Sequence, residues 1–234
     1  MEETKPTPHW ALQATHSLSQ EFFVWYSERM KLYLSSYQLG NEPDKLVRLV
    51  GENKRAAVIC NALDWSEEGP RKERVERELN AMEGLGLQPE EFDLRNYFHR
   101  PEDIESALSD FGLLWIRGGN AFILRKAMAL SGFDGCIRGL LEKGIVYAGY
   151  SAAACVAGPT LHGVELCDDA SLVPENYSAE TMWDGLELID VAIAPHYKSD
   201  HPESPMIDGV VAYFKQHDIP YKTLHDGEVI IIEN

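Results

Sequence analysis

The sequence predicts a three-layer α/β domain, a mostly parallel sheet with helices on both faces, and three observations carry that reading. Short β-rich apolar runs alternate with amphipathic stretches along most of the 234 residues, the pattern of repeated βαβ units. The runs around Leu113–Ile116 and Ile145–Ala148 are apolar throughout, as strands covered on both faces must be. These same two runs end in glycine or serine and then open a helix, which is how such units turn from strand to helix.

The elements follow in order. Met30-Lys31-Leu32-Tyr33-Leu34-Ser35-Ser36 gives a buried first strand at 31–36, and apolar runs place further strands at 56–61, 92–96, 112–116 and 144–148. Amphipathic stretches between them predict helices near 42–50, 68–85, 101–109 and 120–142, the last broken around Ser131-Gly132. After Ser151 come a short helix, an irregular stretch from Pro159 to about Gly185, a strand at 187–194, a helix at 203–217, and closing strands at 221–224 and 228–232. Residues 1–29 carry prolines and an aromatic cluster without strand or helix periodicity. They read as an appended tail or a partner-binding arm, ahead of a single domain at 30–234.

Charge and composition exclude several function classes. With 21 Lys+Arg against 38 Asp+Glu the formal net charge is −17, which repels phosphate backbones and anionic lipid surfaces, so neither nucleic acid nor membrane is an expected partner. The four cysteines, Cys60, Cys136, Cys155 and Cys167, form no CxxC pair, and no nucleotide-binding loop of the GxxxxGK[ST] or GxGxxG type occurs. No metal and no cofactor is therefore expected. The lack of an apolar window of membrane-spanning length and of a signal-peptide order points to a reducing, cytoplasmic setting.

Chemistry concentrates at strand ends. Ser151 stands where the apolar strand Gly144–Ala148 runs through Gly149-Tyr150 into the small-residue helix start Ala152-Ala153-Ala154. A serine in such a turn lifts its hydroxyl above the sheet, with backbone N–H groups aimed at the same space, and this is the geometry of a nucleophile. It can equally cap the helix. Gly118-Gly119-Asn120 ends a second strand; its glycines can expose N–H donors, while Asn120 can cap the following helix.

A serine nucleophile needs a base, and His196 closes the apolar run Val191–Pro195, whereas His201 reads as a residue near a helix cap. The orienting carboxylate is open among Asp226, Glu203, Asp168 and Asp169. Asp226-Gly227 is also an ordinary hairpin signal.

Together, Gly118-Gly119-Asn120, Gly149-Tyr150-Ser151-Ala152-Ala153-Ala154, Pro159-Thr160, Pro195-His196 and Asp226-Gly227 resemble the motifs of peptidase family S51, from about Met30 onward. That family contains aspartyl dipeptidases and cyanophycinase. The resemblance implies a flavodoxin-like fold related to class I glutamine amidotransferases. It also implies Ser151 as nucleophile, His196 as base, Asp226 as orienter, and the N–H groups of Gly119 and Ala152 as the oxyanion hole. Asn120 and Lys198 are the expected substrate contacts.

Four departures from the family's pattern stand out: Arg117 replaces the glycine before Gly-Gly-Asn, Ala153 stands where the elbow has glycine, the acidic triad member is Asp where the dipeptidases have Glu, and no arginine follows Pro195-His196. Lys198 offers a cation there without a guanidinium fork. The expectation is a serine-type hydrolase acting on a small peptide or related amide through an acyl-enzyme, in an architecture compatible with a homodimer. A binding or regulatory protein that keeps the fold without turnover is the alternative.

Overall fold

The computed structural model describes residues 30–234, so the expected tail at 1–29 lies outside the described residues. In chain order the strands are β1 (Lys31–Ser35), β2 (Arg55–Ile59), β3 (Gln88–Glu91), β4 (Leu113–Ile116), β5 (Val146–Tyr150), β6 (Ala192–Ala194), β7 (Tyr221–Thr223) and β8 (Val229–Glu233). The helices are α1 (Pro43–Val50), α2 (Glu68–Gly84), α3 (Pro101–Leu108), α4 (Ala121–Ser131), α5 (Phe133–Glu142), α6 (Ala152–Ala157) and α7 (Ser204–Gln216).

Six strands form one sheet in the order β3-β2-β4-β5-β1-β8, parallel except for β8, which runs antiparallel to β1. The fully apolar runs take the middle because both faces there are covered: every residue of β4 and β5 is buried. In β1, Leu32 and Leu34 enter the core layer shared with α3 to α6, while Tyr33 enters the layer shared with α1 and α2. This alternation is the period-two geometry of a strand.

Sequence signals fix the helix boundaries. Proline sits in the first turn of α1, α3 and α7, where its missing N–H costs no hydrogen bond. Gly132, at φ 80°, ends α4 and begins α5, the break expected at 131–132. In α2 only Val75, Glu78 and Met82 are buried, one narrow stripe on an otherwise solvated helix, and a carboxylate lies in the middle of it.

Two expected strands differ from the observed ones. The strand placed at 92–96 lies earlier, at Gln88–Glu91, and Leu94–Tyr97 is a 3₁₀ turn. The observed segment, Gln-Pro-Glu-Glu, is a polar edge strand whose proline and charges discourage further pairing, so the apolar signal of Phe92 fell just beyond it. The strand expected at 187–194 shortens to β6, because Leu186 and Leu188 donate their N–H groups to Val156 and Ala157 at the end of α6. β6 pairs in parallel with β7 in a separate two-stranded sheet against α7.

Candidate active site

The C-terminal ends of β4, β5 and β1 meet at one rim. Ser151, immediately after β5, has φ 51° and ψ −110°, a conformation that L residues seldom adopt and that tight surroundings must hold. Its side chain makes no capping bond to α6, so the hydroxyl is not committed to the helix. Two close approaches impose the turn. A Cβ on Gly149 would lie 2.2 Å from Ile116 O and 2.6 Å from the Cβ of Ala153. One on Gly118 would lie 2.9 Å from the Cβ of Ser151. Ala153, in place of the usual glycine, is therefore accommodated because its neighbour is Gly149.

The strand end of β1 ties serine and histidine together. Ser35 O accepts the N–H of Ser151 at 3.2 Å, and the next residue, Ser36, accepts the N–H of His196 on its Oγ at 2.8 Å. The Ser36 hydroxyl donates in turn to Asp226 Oδ1 at 2.9 Å. His196 Nδ1 lies 2.7 Å from the same oxygen. With its proton there, Nδ1 leaves Nε2 as the free lone pair of a neutral ring.

Of the four carboxylates left open by the sequence, Asp226 is thus the one bonded to His196 Nδ1. Glu203 Oε2 stands 3.9 Å from Nε2. Asp168 Oδ2 accepts the N–H of Ala121 at 2.7 Å, and Asp169 accepts from the N–H and hydroxyl of Ser171. Asp226 is itself fixed by Ser199 Oγ, which accepts its N–H at 2.8 Å.

Burial shapes the electrostatics. His196 is 1% exposed, and desolvation holds its pKa below the ordinary 6.5; the nearby His201 acts in the same direction, while the bond to Asp226 opposes both. The His201 ring stacks on it at 3.7 Å with planes 8° apart, and Tyr37 stands edge-on to both rings. Desolvation, with Glu203 adding to it, pushes Asp168 up to about 7 against the bond from Ala121. A small cavity of about 20 Å³ joins Ser151, Asp168, Glu203 and Pro195.

His196, His201 and Glu203 each offer an atom within 4.8 Å of the others, the separation of a metal cluster. The lone pairs of two parallel, stacked rings do not converge on one ion, however, so His201 would have to turn to hold one.

The remaining expected residues are placed as follows. The N–H groups of Gly119 and Ala152 make no hydrogen bond among the described residues, leaving both donors available beside Ser151. Asn120 caps α4: its Oδ1 accepts from Ile123 N at 3.0 Å and its Nδ2 donates to Asp169 O at 2.9 Å, so both its polar ends are used within the protein. Lys198 is exposed, with its ammonium 5.0 Å above the Tyr197 ring, and faces neither the Ser151 cavity nor the cleft beyond His196. Arg117 reaches toward α2, where its Nε lies 3.3 Å from Glu78 Oε1, while its Nη1 donates to the carbonyl of Gly118.

Sequence reasoning missed Ser36, Ser199 and Glu78. The Ser35-Ser36 pair at the end of an apolar strand was a usable signal, since sites in open α/β sheets gather at strand ends. Ser199 and Glu78 carried none.

The sequence model of peptidase family S51 matches residues 36–234. An "Uncharacterized peptidase" of Listeria monocytogenes is 29% identical over 125 residues, covering 53% of this chain and 58% of the relative. A "Probable alpha-aspartyl dipeptidase" of Drosophila melanogaster is 27% identical over 153 residues, 63% of this chain and 60% of the relative. The "Peptidase E" of Salmonella typhi is 30% identical over 105 residues, 45% and 42% respectively. The matches thus span about three fifths or less of the curated relatives' length.

Among solved structures, a Listeria monocytogenes EGD-e protein provisionally named peptidase E superposes with a TM-score of 0.69 at 22% identity, covering 88% of this chain and 99% of that one. A peptidase from an acI-B1 actinobacterium gives 0.62 at 15% identity, covering 89% and 85%. At these identities the superpositions establish the shared fold. With the family's sequence model running over most of the chain, the protein belongs to peptidase family S51.

Proposed function

We propose that the protein is a serine-type peptidase acting on short peptides or related amides through an acyl-enzyme. The carrying observation is the Ser35-Ser36 strand end, which holds the backbone of Ser151 and of His196 from consecutive residues while Ser36 also engages Asp226. His196 Nε2 takes the Ser151 proton as Oγ attacks the scissile carbonyl. The N–H groups of Gly119 and Ala152 receive the oxyanion, and Asp226 stabilises the imidazolium that forms. The imidazolium then gives its proton to the leaving amine, and water repeats the cycle on the acyl-serine.

One observation favours the alternative of a binding protein without turnover: among the described residues no hydrogen bond joins Ser151 Oγ to His196 Nε2, and Nε2 faces Glu203 instead. Catalytic hydrogen bonds are often long before substrate binds, so this geometry is compatible with activity. A fluorophosphonate probe separates the two readings. Labelling is expected in the wild type and abolished in Ser151→Ala, together with a loss of peptide turnover of about 10⁴-fold or more. A wild type that resists the probe and turns over no short peptide would leave the binding reading.

A further inference from the structure

A second cavity at this rim is a cleft of about 460 Å³ that shares no lining residue with the Ser151 cavity and reaches Asp226, the partner of His196; it is lined by Tyr37, Tyr150, Asp226 and three arginines, Arg74, Arg77 and Arg117. In a chain of net charge −17 that concentration of guanidinium groups is local and built. Arg74 and Arg77 stand one turn apart on α2, on the flank next to Glu78, and Arg117 reaches the same space from the end of β4.

The acids of the cleft are already committed. Glu78 accepts from Trp115 Nε1 at 2.9 Å and from the Tyr150 hydroxyl at 2.6 Å, and Asp226 accepts from His196 and Ser36. The arginines keep spare donors. Arg117 donates from Nη1 to Gly118 O, but its Nε has no hydrogen-bond acceptor despite its proximity to Glu78, and Arg77 makes no hydrogen bond or ion pair among the described residues. Arg74 donates to Ser66 Oγ at 3.3 Å and lies 5.9 Å from the centre of the Trp65 ring. An anion entering the cleft would find three guanidinium groups whose bonding capacity the protein itself uses only in part.

We propose that this cleft is a carboxylate-binding subsite on the leaving-group side of the scissile bond. Its position relative to the bond rests on the peptidase reading above. His196 must hand its proton to the departing amine, and Tyr37 and Asp226, which touch the His196 ring, form the near wall of the cleft. On the acyl side, by contrast, the cavity beside Ser151 presents Asp168 and Glu203, which disfavour an anion. The ligand is the carboxylate of a short peptide, either its free C-terminus or an acidic side chain following the scissile bond.

The test uses Ser151→Ala protein, full length, and three dipeptide probes titrated calorimetrically: Ala-Ala, Ala-Ala-amide and Ala-Glu-amide. At least one of the two carboxylate-bearing probes should bind about tenfold or more tightly than Ala-Ala-amide, and which one does identifies the C-terminus or the side chain as the ligand. In Arg74→Gln/Arg77→Gln on the same background that ratio should collapse to about one, with the melting temperature as control for folding. Arg117→Gln, which also leaves Glu78 without its cation, is a second variant with the same expectation.

Equal affinity for all three probes, or a preference that survives both variants, overturns the subsite. In active protein the corresponding signature is a KM for carboxylate-bearing peptides that rises about tenfold in the double variant. A carboxylate preference in a protein that resists the fluorophosphonate would retain the subsite and remove the hydrolase. Hydrolysis without the preference would do the reverse.

Discussion

At the scale of single residues, Ser151 and His196, the proposed nucleophile and base, could be singled out because each stands where an apolar run stops, and chemistry in parallel sheets collects there. The acid was not, because Asp226-Gly227 is written identically in an ordinary turn; only the 2.7 Å approach of Asp226 to His196 Nδ1 separates it from Glu203, Asp168 and Asp169. The buried state of His196 has a pH consequence. Its pKa lies below 6.5, held down first by desolvation and then by His201, so the ring remains a competent base to somewhat lower pH than a free histidine. The acid limb of kcat/KM should therefore fall below pH 6.5, and His201→Ala should move it upward, read from a pH–rate profile. A limb at or above 6.5 in the wild type would mean that another group controls the rate. The same shift contributes stability that is present above 6.5 and lost as the pH falls from there through the folded-state value, because the unfolded chain takes the proton first.

At the scale of elements, strands with continuous apolar runs were read correctly, and those that owe their pairing to position were not. β3 carries no apolar run of its own and pairs as an edge because the neighbouring strand offers it a ladder. β6 was overextended because the apolar residues before it serve the end of α6 rather than a sheet. The elbow between β5 and α6 is the element on which the site most depends. Gly149→Ala puts a methyl group 2.2 Å from Ile116 O, so the strand ends must part. We expect a loss of about 2–4 kcal/mol in stability, measured by urea denaturation, with a loss of activity out of proportion to the fraction unfolded. A variant as stable and as active as the wild type would show that the turn tolerates a wider rim.

At the scale of the whole molecule, the layered class was legible from alternation alone, whereas the strand order and the separation of β6-β7 from the main sheet are decided by packing that no local pattern records. The charge of −17 is a global property with a measurable effect. Raising NaCl from about 10 to 150 mM shortens the Debye length from about 30 to 8 Å and should raise the melting temperature by a few degrees by screening self-repulsion. A falling melting temperature would mean that ion pairs such as those of Arg71 with Asp64 and Glu91 outweigh the repulsion. One arrangement also bears on how the protein is made. Ser36, near the start of the described fold, clasps His196 and Asp226, and Asp226 follows Ser151 by 75 residues. On the ribosome the serine therefore emerges long before its imidazole can be oriented. The proposed triad thus comes together only once the loop between β7 and β8 has docked against Ser36.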